Sequence, residues 1–264
     1  MRVLLTGATG AAGLGVLRAL LADDTVNHVT VLARRPLPSW VILPNGTTPT
    51  APSEPPTHPK LSTTVLPSFL SYTPDLRADI AAHDACIWAL GKSAVGMSEK
   101  DYTEMTVGYL DAFLDAAKEA GVGTAGGKPF RMAFITGQGT DPTEKSWQLF
   151  ARVKGRAENH LTQHAKDSAG AFKPTILRPA YFFPSSLYPA DQENTRPTAG
   201  RVFDKVLGNP LRYVMGITVE DMGKFAVEAV KGTWEAKYPD KVVFSNGEMK
   251  NAVKEVGTKG RDEL

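Results

Sequence analysis

Residues 6–13 read Thr6-Gly7-Ala8-Thr9-Gly10-Ala11-Ala12-Gly13 and follow directly on the apolar run Val3-Leu4-Leu5. A strand that turns at once on three glycines, then enters a helical pattern with Leu14, Leu17, Leu20 and Leu21 on one side, admits few folds. The first glycine suits a tight turn. The second lets a ligand approach the backbone, and the third lets helix and strand pack closely. The helix N-terminus behind them presents unpaired N–H groups and a positive dipole end, the requirements of a phosphate site. Gly7, Thr9, Gly10, Ala11, Ala12 and Gly13 are therefore the candidate cradle of a dinucleotide pyrophosphate.

With 264 residues, 42% of them hydrophobic, the chain can bury the core of one α/β domain. Its net charge of +2 is spread without blocks, which argues against a nucleic-acid partner. The one cysteine, Cys86, excludes an internal disulfide and lies in the apolar run Ala85–Leu90, so it reads as a buried strand residue in a reducing compartment. No apolar stretch is long enough to span a bilayer, and residues 2–5 read as a strand rather than as part of a signal peptide. The final Arg261-Asp262-Glu263-Leu264 is like an ER-retention tail but, with no entry signal, reads as coincidence. A cytoplasmic protein is expected, acting on a small molecule as a monomer or homodimer.

Strand and helix patterns alternate along the chain. Strands are expected at 2–6, 28–33, 61–66, 85–90, 131–136, 175–177, 217–219 and 241–245. Helices are expected at 11–22, 76–82, 99–120, 144–163 and 220–230, with a further element at Val202–Leu207. Residues 36–74 form a proline-rich insertion with Ser and Thr interleaved, which either covers the adenosine end of a nucleotide or is solvated and mobile. The alternation predicts a Rossmann-type doubly wound parallel sheet, one domain over 1–264. A small C-terminal substrate-binding lobe is expected mainly at 180–216 and 231–264.

The end of the second strand identifies the nucleotide. An acidic residue there takes the ribose hydroxyl of NAD, whereas an arginine accommodates a 2′-phosphate. Here Ala33 is followed by Arg34 and Arg35, with no acid. A guanidinium binds a phosphate bidentately and a carboxylate repels it, so NADP(H) is the expected cofactor.

The glycine turn, together with Val29–Arg35, Trp88–Gly91, Phe134–Gly137, Val153–Glu158 and Ile176–Pro179 in this order, resembles the extended and atypical short-chain dehydrogenase/reductases. The likeness runs to about Val230 and is greatest to the branch that contains the Tat-interacting-protein oxidoreductase. It implies cofactor contacts from Leu90, Gly91, Lys92 and Pro179. It also implies a catalytic Tyr four residues before a ribose-holding Lys, with a Ser after the fifth strand. Lys154 is present, but Phe150 stands where the Tyr is expected, and Thr136-Gly137-Gln138 stands where the Ser is expected. A phenyl ring has no proton to transfer, and a positioned acid contributes about 10²–10⁴ in rate.

Lys154, Thr136 and Tyr181 are the catalytic candidates. Tyr181 follows Arg178-Pro179 and is weighed against simple aromatic packing. Tyr188, Lys92 and Ser93 are weaker candidates. Tyr102 and Tyr109, the nearest tyrosines before Lys154, are set aside as belonging to a distant helix. His160 and His164 share a helix face but lack the further ligands of a metal site, and Asp221 reads as an early-helix acid. Three functions follow: an NADP(H)-dependent oxidoreductase of a small carbonyl or enone with a non-standard proton donor; a non-redox isomerase, lyase or cyclase in the same cleft; and a silent NADPH-binding regulator.

Overall fold

The computed structural model describes the chain except residues 48, 125–126, 197, 199, 202–215 and 263–264, with backbone alone at 257–262. The element expected at Val202–Leu207 lies outside the described residues. Seven parallel strands form one sheet in the order β3-β2-β1-β4-β5-β6-β9. They are β1 (Arg2–Thr6), β2 (His28–Ala33), β3 (Leu61–Val65), β4 (Ala85–Trp88), β5 (Phe130–Ile135), β6 (Phe172–Arg178) and β9 (Val243–Ser245). Strands β1, β2 and β4 at the centre are buried along nearly their whole length, because helices cover both faces. The edge strand β3, Leu61-Ser62-Thr63-Thr64-Val65, is the polar one. A two-stranded ribbon joins β7 (Phe182–Phe183) to β8 (Ile217–Thr218).

The helices are α1 (Ala11–Ala22), α2 (Pro74–Ala81), α3 (Glu99–Thr103), α4 (Tyr109–Glu119), α5 (Leu149–Asp167), α6 (Pro189–Thr195), α7 (Val219–Lys231), α8 (Thr233–Lys237) and α9 (Asn246–Asp262). One face of the sheet carries α1, α7 and α9 over a core that includes Leu14, Leu17, Val31, Phe225 and Trp234. The other carries α2, α4 and α5 over Trp88, Phe113, Phe130 and Leu161. Where α1 crosses α7 the backbones touch. A Cβ on Gly15 would lie 2.3 Å from the Val219 carbonyl oxygen, and one on Gly223 would lie 2.5 Å from that of Gly15. Neither glycine stands out in the sequence, yet this crossing packs α7 against the helix that carries the glycine turn.

Several expectations are corrected. The helix expected over 99–120 is broken by a π-turn at Glu104–Gly108, in which the Tyr109 N–H reaches back to the Glu104 carbonyl. The helix expected from Glu144 begins only at Leu149. Glu144 has φ of +58°, and the Asp141 carboxylate holds the N–H groups of Thr143, Lys145 and Ser146 in a turn. Strand β6 is longer than 175–177 because Phe130↔Phe172 pairing begins before Pro174. The short helices α6 and α8, and the long α9, were not read in the sequence.

The proline-rich segment is tied down at its start and end. Leu37, Val41 and Leu43 are buried against α1, Leu66 and Phe69 against the opposite core, and the Ile42 carbonyl accepts from Arg18 Nε at 2.9 Å. Arg18 also pairs with Asp191 of α6, Nη2 to Oδ1 at 2.9 Å, and the Tyr188 ring lies 3.6 Å from its guanidinium. Both members of this pair are buried, so one arginine joins α1, the insertion and α6.

Candidate functional site

The strand order reverses between β1 and β4, and the glycine turn lies at that switch point, where open α/β sheets bind ligands. Each glycine has its own physical reason. Gly7 has φ of +71°, and a Cβ there would lie 2.4 Å from the Ala89 carbonyl oxygen at the end of β4. A Cβ on Gly13 would lie 2.0 Å from the Gly7 carbonyl oxygen, so only glycine lets α1 close on the turn. Gly10 differs. It is exposed, its backbone is extended, and a Cβ would meet only the Gly7 oxygen at 3.4 Å. Its bareness keeps the space outside the turn clear.

Gly10 is also the N-cap of α1, with no side chain closing the helix end and no acid in the first turn. The first-turn N–H groups, those of Ala11, Ala12 and Gly13, therefore face an open end, the condition for binding an anion. Thr9 is exposed on the same turn. Arg34 and Arg35 follow β2, beside β1 in the sheet, and both are exposed without an ion pair among the described residues. These features fit a dinucleotide carrying an extra phosphate.

A second cluster lies further along the same sheet edge. Leu90, Gly91, Lys92, Thr136 and Lys154 line one small pocket with Tyr102, Thr106, Phe134 and Ile135. Tyr102 is far from Lys154 in sequence. Helix α3 and the π-turn return it to this pocket, where it is buried and hydrogen-bonded to Thr106, and burial raises its phenol pKa. Tyr109 instead stacks on Phe69 at 5.7 Å.

Lys154 donates from Nζ to the Thr136 carbonyl at 2.6 Å. Burial pushes its pKa down to about 8, against the pull of nearby Glu158. The Thr136 hydroxyl points elsewhere. It donates to Glu158 Oε1 at 2.7 Å and contacts the Leu177 carbonyl at 3.2 Å. Glu158, itself buried, also accepts from Arg178 Nε at 3.0 Å and from Nη2. Thr136 is thus a fixed support for the buried carboxylate and offers Lys154 only its backbone oxygen.

The position that faces Lys154 is Gly137, where a Cβ would lie 3.7 Å from Nζ and 3.9 Å from the Pro179 carbonyl. Pro179 accepts from the Gln138 N–H at 2.7 Å and so joins the ends of β5 and β6. Phe150 stands in the first turn of α5, its ring 3.5 Å from where a Gly139 Cβ would be. Around Lys154, one position carries a phenyl ring and the other no side chain.

Tyr181 is half-buried, its ring 5.1 Å from Phe183 and 4.9 Å from the Arg196 guanidinium, and its carbonyl accepts from the Ile217 N–H. It is not among the residues lining the Lys154 pocket. Tyr188 is stacked on Arg18. The Ser93 hydroxyl accepts from Val95 N–H at 3.3 Å. His160 contacts Asp111, and His164 meets Phe172 edge-on; no group of three metal-ligating side chains occurs among the described residues. Asp221 stands in the first turn of α7, capped by Thr218. No described helix is long and apolar enough to cross a membrane.

No family model matches the chain. It is 24% identical over 163 residues, 62% of its length, to the leucinostatins biosynthesis cluster protein T of Purpureocillium lilacinum. The chain spans about half the length of that relative, 52%. Among solved structures it is similar to a short-chain dehydrogenase/reductase family oxidoreductase from Burkholderia thailandensis (TM-score 0.61, 13% identity, covering 93% of this chain and 91% of that one). It is similar also to a short-chain dehydrogenase from Burkholderia cenocepacia J2315 in complex with NADP (TM-score 0.58, 12% identity, 97% and 91% covered). A third is the 3-oxoacyl-[acyl-carrier protein] reductase from Brucella melitensis in complex with NAD (TM-score 0.61, 15% identity, 94% and 96% covered). Sheet order, glycine turn and these likenesses together give the chain the Rossmann-type α/β fold found in short-chain dehydrogenase/reductases.

Proposed function

We propose that this protein binds NADP(H) at the glycine turn and acts as an atypical reductase or dehydrogenase on a small organic carbonyl or enone. The observation that carries the cofactor reading is the open N-terminus of α1 beside Arg34 and Arg35, with no acid where NAD needs one. Lys154, held by the Thr136 carbonyl, is the candidate for the ribose hydroxyls, with Leu90, Gly91 and Lys92 lining the same pocket and the Pro179 carbonyl near Gly137. When bound, the cofactor supplies hydride chemistry; the protein supplies binding, orientation and electrostatics. Tyr181 or a bound water is the proposed proton source. The Thr136 hydroxyl, whose proton goes to Glu158 Oε1, is not put forward for this role.

The phenyl ring of Phe150 and the bare Gly137 support a second reading, a non-redox isomerisation, elimination or cyclisation in the same cleft. Oxidation of NADPH, followed at 340 nm against a panel of carbonyls and enones, tests the first reading. Turnover with a two-hydrogen mass difference between substrate and product supports it. Bound NADPH with product isomeric to substrate supports the second.

A further inference from the structure

A pocket of about 880 Å³, lined in part by Gln138 and Gly139, lies at the carboxyl ends of β5, β6 and β9, within the size range of small-molecule sites. Its lining includes Arg178, Asn246, Lys250 and Lys254 and contains no carboxylate. Asn246 is 7% exposed. Its Oδ1 accepts from the Ala180 N–H at 3.2 Å. That bond fixes the amide, because an N–H must meet the oxygen, and it leaves the two Nδ2 donors without a partner among the described residues. These donors are open to the pocket, where a ligand oxygen can accept from them. Half-buried Arg178 also has a spare donor. Its bond to Glu158 uses Nε and Nη2, which leaves Nη1 unpaired among the described residues.

The N-terminus of α9 is not the source of this chemistry. Ser245 and Glu248 already cap it, the carboxylate accepting from the Ser245 N–H at 2.8 Å and its hydroxyl at 2.7 Å. Side chains make the site: one buried amide held in a single orientation, one guanidinium with a spare edge, and two lysines one helical turn apart on α9. All four present donors, and three carry positive charge.

We propose that this pocket is an oxyanion subsite and that the substrate carries a carboxylate or phosphate held by Asn246, Arg178, Lys250 and Lys254. The inference rests on the reading of the neighbouring cleft as the substrate side of the dinucleotide site. It names the substrate class that the aromatic residues after Pro179 do not: an anionic small molecule, its reacting carbon towards Lys154 and its charge towards α9.

The test is calorimetric titration of the intact protein, with and without saturating NADPH, using malonate, inorganic phosphate and neutral malonamide as probes. At least one anion is expected to bind about tenfold or more tightly than malonamide, in both conditions. Asn246→Asp is nearly isosteric and can still accept from Ala180, but faces the oxyanion with a charge. Lys250→Gln/Lys254→Gln alters only side chains on the outer part of α9. Each is expected to weaken anion binding about tenfold while leaving NADPH affinity unchanged. Equal binding of charged and neutral probes, absence of anion binding, or variants that bind as the parent does would overturn the proposal. Anion binding with this variant pattern but no NADPH binding would overturn the cofactor reading and leave the subsite standing.

Discussion

The two ends of the cleft differ in kind. At the β1–α1 end every glycine has a steric or access reason, the helix end is open, and two arginines stand at the end of β2. At the β5–α5 end a lysine and a carboxylate are held in place, but the nearby positions carry no hydroxyl aimed at the lysine. Lys154 is anchored and Glu158 is held by Thr136 and Arg178, while Gly137 carries no side chain and Phe150 no hydroxyl. The glycine turn is thus constrained by the fold itself, whereas the Lys154 end is set by individual side chains.

The comparison breaks first at the blank end. A Ser at Gly137 would meet ordinary contact distances, and a hydroxyl added to Phe150 changes little volume, so Gly137→Ser/Phe150→Tyr is expected to fold as the parent does. If the site lacks only its acid, the double variant gains about 10²–10⁴ in NADPH-dependent turnover. An unchanged rate would mean that the cleft has been rebuilt for another reaction.

At the intact end Gly10→Val has the next largest effect. Its backbone is extended and its surroundings open, so melting temperature is expected to stay close to the parent's. Branched carbons outside the turn would nevertheless keep a pyrophosphate from the first-turn N–H groups, weakening NADPH about 100-fold in a fluorescence titration. A parallel loss of stability would instead mean that Gly10 serves packing, as Gly13 does.

Arg34→Ala should have a smaller and more selective effect. Removing a charge-assisted contact costs about 1.5–3 kcal/mol, or roughly 10–100-fold, for NADPH and nothing for NADH. Equal losses for the two nucleotides would assign Arg34 to general attraction rather than to the 2′-phosphate.

The smallest effect is a pH dependence linking the two ends. Burial lowers the Lys154 pKa to about 8, so its ammonium is lost as pH rises through that value. NADPH affinity is expected to fall about fivefold above pH 8 in the parent and to be flat with pH in Lys154→Met. The same slope in both proteins would place the titrating group elsewhere.

Local signals made one end legible and hid the other. The glycine turn, β1, β2 and the helical face of α1 are all coded within about thirty residues, by spacing alone. The Lys154 pocket is assembled from residues far apart in sequence. Nothing near Thr103–Thr106 announces a π-turn, and so nothing in the sequence brings Tyr102 towards Lys154. The Asp141 carboxylate, by capturing three downstream N–H groups, delays α5 by a turn beyond where its periodicity begins. Thr136 and Gly137 are adjacent in sequence, and only the hydrogen bond to Glu158 tells which of them faces the site. The proline-rich segment reads as a nucleotide cover or a solvated insertion, yet Leu37, Val41, Leu43, Leu66 and Phe69 fill core positions, a tertiary effect that local composition cannot encode.

The central claim is that the intact end holds NADP(H) whatever chemistry the blank end performs. Paired titrations of the unmodified protein with NADPH and NADH, read by nicotinamide fluorescence, test it most directly. The account predicts saturable binding of NADPH at least about tenfold tighter than of NADH. Equal affinities, or no binding of either nucleotide, would contradict it.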